Sequence, residues 1–295
     1  MAALCCLPGT AAANAGSAAL GTLSPGDPGF TVGAGASRAI TANLDNPDAG
    51  SVSINRYPVR LSHYRSGGPT GFLIVNAVYE YGEYDWSQAG LFNSTNRVAL
   101  SAIGLRWFED SSWGLFGFAQ TSWAAETSGA SLANGFSGTA LAGPAYAVNP
   151  NLGFTGGLMV NTGPEQSTRV FPVASVNWRI NPNWSLRTLN GFLLTYVPGD
   201  PDRWSYEFSG EYRTRGIRLK RQLLPDGSSA RPAVEEREIA LGVTASFQLH
   251  RQVTFQVFGE GLFARQWRFR ADSSSYRTVK ASDTLQTGFR VDYGF

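Results

Sequence analysis

From Trp204 onward the chain alternates between two kinds of residue, and it keeps doing so run after run. Trp204, Tyr206, Phe208, Gly210 and Tyr212 interleave with Arg203, Ser205, Glu207, Ser209, Glu211 and Arg213. Ile239, Leu241, Val243, Ala245, Phe247 and Leu249 interleave with Glu238, Gly242, Thr244, Ser246 and Gln248. Val253, Phe255 and Val257, then Phe263 and Trp267, stand against Thr254, Gln256, Glu260, Gln266 and Arg268. Leu285, Thr287, Phe289, Val291, Tyr293 and Phe295 stand against Thr284, Gln286, Gly288, Arg290 and Asp292. A period of two puts each set on one face of a β-strand. Helical periodicity is scarce, and no apolar run after the N-terminus reaches the ~18–20 residues of a membrane helix.

Alternation alone leaves the direction of the apolar face open, because a soluble β-sandwich carries the same stripes turned inward. Composition and three further features turn them outward. Charged residues are 16% of the 295, against roughly 25% in soluble domains, while aromatics are 13%. Tryptophans bracket turns, as interfacial girdles require: Trp107 and Trp113 flank 109–112, and Trp178 and Trp184 flank 181–183. Trp113 and Trp123 share a face ten positions apart. At ~3.3 Å per residue and a ~40° tilt this is roughly 25 Å of depth, the height of a lipid-facing band. Trp204, Trp267 and Tyr293 complete the expected girdle. Tyr293 and Phe295 form an aromatic C-terminal signal of the kind read by the barrel-assembly machinery, an expected partner beside outer-membrane lipid. The expected fold is therefore all-β, a transmembrane antiparallel up-and-down β-barrel in the cell outer membrane of a Gram-negative bacterium.

Coarse strands fall at 52–63, 71–82, 97–108, 113–125, 137–148, 152–161, 169–180, 184–196, 203–219, 236–249, 253–269 and 283–295. They number twelve, even as bacterial barrels require. Loop parity disturbs this count, since periplasmic turns should be short and outer loops long. A tight hairpin at Asn190-Gly191 would restore parity by splitting 184–196. A further strand at 30–40 would then give fourteen, the alternative count. The halves of 184–196 are shorter than the ~9–11 residues that span a bilayer. Pro58, Pro144 and Pro172 predict bulges or rim positions in their strands. Residues 1–20 read as a signal peptide, truncated or mis-started, with an Ala13-Asn14-Ala15 cleavage site. Residues 21–50 read as an irregular periplasmic lead-in, and 51–295 as the barrel.

The segment from Phe171 to Leu219 reads FPVASVNWRINPNWSLRTLNGFLLTYVPGDPDRWSYEFSGEYRTRGIRL. It resembles an uncharacterised family of bacterial outer-membrane β-barrels, a domain of unknown function, and the resemblance extends over 50–295. It implies a location and a fold, with an insertion near Asn190-Gly191 in other members. It implies no substrate and no catalytic residue.

The chemistry that the sequence offers is sparse. Net charge is +2, which gives no electrostatic case for nucleic acid. Cys5 and Cys6 lie in the expected leader, and His63 and His250 are the two histidines. No cofactor, metal site or catalytic residue is expected. Ser62 and His63 are adjacent on a strand, hence on opposite faces, and form no dyad. The candidate site residues are the charges on the polar phase: Arg187, Arg203, Glu207, Glu211, Arg213, Glu238, Glu260, Arg268, Arg290 and Asp292. They fill the interior as ion pairs or line a water channel. Glu207 and Glu211, ~13 Å apart by strand rise, are too distant for joint acid–base work. The expectation is a non-enzyme: a porin-like passive channel or a structural barrel. The alternative is a lipid-binding or lipid-modifying barrel.

Overall fold

The computed structural model describes residues 29–45, 50–67, 71–88, 92–164, 167–188, 191–199, 203–220, 222–223, 229–230, 232–271 and 274–295. The expected signal peptide lies outside them. The strands are β1 (Gly29–Asn43), β2 (Ser51–Ser66), β3 (Gly71–Trp86), β4 (Ser94–Trp107), β5 (Trp113–Glu126), β6 (Phe136–Asn149), β7 (Leu152–Thr162), β8 (Arg169–Arg179) and β9 (Trp184–Thr188). They continue with β10 (Gly191–Tyr196), β11 (Trp204–Arg218), β12 (Gln222–Leu223), β13 (Ser229–Ala230), β14 (Ala233–His250), β15 (Val253–Ala271), β16 (Ser274–Lys280) and β17 (Thr284–Gly294).

Each strand from β1 to β11 pairs antiparallel with the next, β11 pairs β14, β14 pairs β15, and β15 pairs β17. β17 returns to β1 from Thr31↔Gly294 to Ala39↔Gln286, which closes the sheet. Phe30 and Phe295 add reciprocal backbone hydrogen bonds of 3.0 and 2.9 Å at the seam. The result is a closed antiparallel barrel of fourteen staves with up-and-down topology. The paired β12–β13 belong to the loop between β11 and β14, and β16 continues the line of β17 beside the far end of β15. Closure leaves no unpaired sheet edge along the seam, as a bilayer demands.

Two corrections to the twelve-strand count produce fourteen. β1 occupies 29–43, inside the stretch expected to be an irregular lead-in. Its alternation of Thr31, Gly33 and Gly35 with Phe30, Val32 and Ala34 is weak because small residues dominate it. The segment 184–196 is two strands, paired from Phe192↔Thr188 to Tyr196↔Trp184, and Asn190 of the expected turn lies outside the described residues.

Burial fixes the direction of the stripes. On β17, Leu285, Phe289, Val291, Tyr293 and Phe295 are 40–61% exposed, while Gln286 and Asp292 are 5% and 0% exposed. The same phase exposes Val59 and Leu61 on β2, Leu73 and Val75 on β3, and Leu241 and Val243 on β14. A sandwich would bury that set and expose the ionic one. At one end the turns 108–112, 150–151, 180–183 and 251–252 are short and only 197–203 is longer, and at the other most connections are longer, 189–190 and 272–273 excepted.

β15 changes phase part-way along. Ala264 has φ +51°, a left-handed conformation that L-residues seldom adopt. At this point the β14–β15 register moves from Arg237↔Gln266 to Ile239↔Phe263. The same level is where β15 exchanges β17 for β16 as its partner, at Leu262↔Thr284 and Gln266↔Lys280. Such a bulge inserts residues on one strand and re-aims every side chain beyond it. Ala264 donates its backbone N–H to Asp283 Oδ1 at 3.3 Å, and Ala281 donates to the Arg265 carbonyl at 3.0 Å.

Candidate functional site

The exterior carries an apolar band with aromatics at its short-turn end. Trp113, Trp178, Trp204 and Tyr293 are 42–51% exposed there. Trp184 joins them through Tyr196, its ring centroid 4.6 Å away. Trp123 lies toward the opposite end of β5, beside Phe136 at 5.8 Å. Two expected members of the girdle are inside instead. Trp107 shares the inward phase of Ile103 and Leu105 and packs on the interior apolar cluster. Trp267 is 0% exposed, because the Ala264 bulge turns it inward. By the same bulge Arg268, expected in the lumen, falls on the outward phase opposite Glu235. A closed even-numbered barrel with an outward apolar band and an aromatic rim has one environment that fits it. It is an outer-membrane β-barrel. Its short-turn end is periplasmic and its long-loop end faces outward.

No family model matches the chain, and no curated protein matches it. Among solved structures, an outer membrane channel of Pseudomonas putida F1 has 12% identity over 92% of this chain and 100% of that one, with a TM-score of 0.48. The Pseudomonas putida toluene transporter TodX has 8% identity over 96% and 93%, with a TM-score of 0.40. The translocator domain of the autotransporter NalP from Neisseria meningitidis has 11% identity over 96% and 94%, also at 0.40. At such identities and scores, nothing about solute or mechanism passes from those proteins to this barrel.

The lumen is layered. In the outer half lies a set of interlocked ion pairs. Arg213 grips Glu260 with two hydrogen bonds of 2.7 and 2.8 Å and also bonds Glu211. Arg215 reaches Glu238 at 3.2 Å and Glu236 at 3.5 Å. Arg265 reaches Glu238 at 3.0 Å, and Arg56 holds Glu236 at 2.9 Å and Gln286 at 3.2 Å. Tyr84 donates its hydroxyl to Glu236 at 3.4 Å. Four guanidiniums thus meet four carboxylates, and all eight are buried. Forked Arg–carboxylate bonding of this kind lets like-charged neighbours share a low-dielectric space.

Above the ion pairs sits an apolar layer. Trp267, Phe269, Phe92, Leu219 and Val234 are at most 2% exposed. Trp86 meets Trp267 edge-on at 5.4 Å and donates its indole N–H to the Phe92 carbonyl at 2.6 Å. Arg265 lies 5.7 Å from the Trp267 ring centroid, which joins the two layers by a cation–π contact. Nearer the periplasm, Arg60 and Arg290 both hold Asp292 at 2.9 Å, and Arg290 also bonds Gln256.

Of the ten expected lumen charges, Glu211, Arg213, Glu238 and Glu260 come together in the ion-pair layer, and Arg290 and Asp292 in the periplasmic cluster. Glu207 is buried on β11 opposite Thr244, and Arg187 is half-buried opposite Asn177. Arg203 is exposed in the turn before β11. Sequence reading missed Arg56, Arg60, Arg215, Glu236 and Arg265. Arg215 and Glu236 were recoverable by continuing the phase of Arg213 and Glu238 by two residues. Arg265 was hidden by the bulge. Ser62 is buried inward, while His63 stacks on Phe30 at 4.3 Å, so no dyad forms between them. His250 accepts the Gln252 backbone N–H through Nδ1 at 3.4 Å, in a turn.

The wall has a short panel. Pairing of β8 with β9 stops at Asn177↔Arg187, and pairing of β10 with β11 stops at Gly191↔Glu211. Among the described residues no strand lies between the outer halves of β8 and β11. β11 bends inward beyond this level. Arg218 bridges Ala125 of β5, and the Arg218 Nε–H donates to the Asn134 carbonyl at 3.1 Å. The Lys220 backbone N–H donates to Glu126 at 3.0 Å. Gly216 permits the crossing, since a Cβ there would sit 2.7 Å from Pro164 Cδ and 3.1 Å from Ser137 Oγ.

The crossing makes a side compartment. Tyr212, Thr214 and Gly216 from the outward phase of β11 line the same cavity as Phe118, Met159 and Phe171 from the inward phases of β5, β7 and β8. The cavity is about 230 Å³. It therefore lies outside β11 but inside β5–β8. Phe171 is 39% exposed although its cross-strand neighbour Met159 is 5% exposed.

Proposed function

We propose that this protein is a narrow outer-membrane channel in which solute passes beside the ion-pair layer, through the side compartment, rather than down the barrel axis. One observation carries the reading: β11 crosses to β5 and leaves a cavity of about 230 Å³ between itself and β5–β8. The axial route is obstructed at its outer end by closed ion pairs under a buried apolar layer. A general porin of larger bore keeps an open aqueous lumen. The interior face below the compartment is apolar through Phe118, Leu141, Phe116, Ile103 and Phe72, a single contiguous cluster. That stripe favours small, weakly polar solutes over hydrated ions.

Planar-bilayer recording tests the reading. The expected result is rare, low-conductance events, and faster uptake of small apolar solutes than of sugars or salts into liposomes holding the barrel. Large ohmic conductance steps would sink it, and so would liposomes as tight to apolar solutes as protein-free ones. The alternative of a lipid-modifying enzyme gains no support from the placement of Ser62 and His63 on opposite faces.

A further inference from the structure

We propose that the side compartment binds a small carboxylic acid with an apolar body, and that Arg97 is the counter-ion of its head group. The proposal rests on the channel reading and names the class of solute for it. Arg97, on the inward phase of β4 directly opposite Glu80 of β3, is 7% exposed and lines the cavity, and its Nη1 has no hydrogen-bond partner among the described residues. A buried guanidinium with an unsatisfied nitrogen is costly, and an anionic acceptor relieves it with a charge-assisted bond. The remaining charge of the lining is also positive in excess. Arg169 joins it, and Glu235, its one carboxylate among the described residues, is already held by Arg237 at 2.8 Å.

The opposite wall chooses the body of the ligand. Phe118, Met159 and Phe171 present an aromatic–thioether–aromatic surface. A dry cavity of about 150 Å³ takes one benzene. The 230 Å³ here takes one ring with a short acid side chain, or an acyl chain of similar bulk.

Equilibrium dialysis with 4-phenylbutyrate, on the whole barrel in nanodiscs, tests this, with 4-phenylbutan-1-ol as the neutral control. Wild type is expected to bind the acid saturably and more tightly than the alcohol. Arg97→Gln should weaken the acid at least about tenfold and leave the alcohol unchanged, and Arg97→Lys should restore part of the loss. Asn161→Trp, which fills the compartment from an exposed inward position, should weaken both probes. It serves as the second test if Arg97→Gln loses its heat-modifiable folded form. The site is wrong if wild type shows no saturable uptake, if Arg97→Gln binds the acid like wild type or loses acid and alcohol equally, or if Asn161→Trp changes neither. Bilayer recordings of the same preparation separate the two claims: conduction without binding rejects the site alone, and binding without transport rejects the channel alone.

Discussion

Arg213 shows how much of the interior depends on single side chains. It is buried against Glu211 and Glu260, and its loss leaves carboxylates without compensation in a low-dielectric space. Arg213→Met should cost about 3–5 kcal/mol of unfolding free energy, and the double variant with Glu260→Met should recover part of it, measured by denaturant titration of the barrel in lipid. Arg213 and Glu260 lie on undisturbed alternating runs, and both are buried where they pair. Residues 267 and 268 were placed with their directions exchanged. The left-handed Ala264 reverses the phase between them and the rest of β15, and no glycine or proline at 264 announces it. In a background without Cys5 and Cys6, Arg268→Cys should react with a maleimide several-fold faster than Trp267→Cys. Equal rates would contradict the bulge.

At the scale of elements, the hairpin of β9 and β10 controls the wall. These strands have five and six residues against eleven in β8 and fifteen in β11. The shortness was legible in the sequence as a turn signal at Asn190-Gly191 with too few residues on either side. Its consequence was not, because the behaviour of β11 above a missing neighbour depends on what it meets across the barrel. It meets β5, where Gly216 gives it room beside Pro164 and Ser137. Among the described residues, the outer half of β8 has a sheet neighbour on the β7 side only. Amides of Val170–Ala174 should therefore include a fast-exchanging set, at least about tenfold faster than those of β2, which is paired on both sides over most of its length. Hydrogen exchange with fragment resolution checks this. Uniform protection across β8 would mean that the panel is closed.

For the whole molecule, the decisive property is a lumen stacked in layers, apolar over ionic, with its free volume displaced to one side. Trp267 is the largest fully buried side chain among the described residues and sits in the outer layer. Trp267→Ala should open the axial route and raise single-channel conductance in planar bilayers severalfold. An unchanged trace would show that the ion pairs below are the true barrier. Length-wise periodicity determined the strands and their two faces, because a period of two is set by the backbone of each strand alone, and the low charge, the turn-bracketing tryptophans and the aromatic C-terminus turned the apolar face to lipid. Local turn chemistry supplied fourteen as the alternative to twelve. What alternation cannot encode is the order in which inward-facing residues from distant strands meet, or the depth at which one stave leaves the circle. Those follow from closure of β17 on β1, from the bulge at Ala264 and from the crossing of β11 to β5. The closure and the crossing are contacts between segments far apart in sequence, and the bulge is a backbone conformation that no residue type at 264 announces, so the ion-pair partners and the side compartment came into being only with the closed barrel.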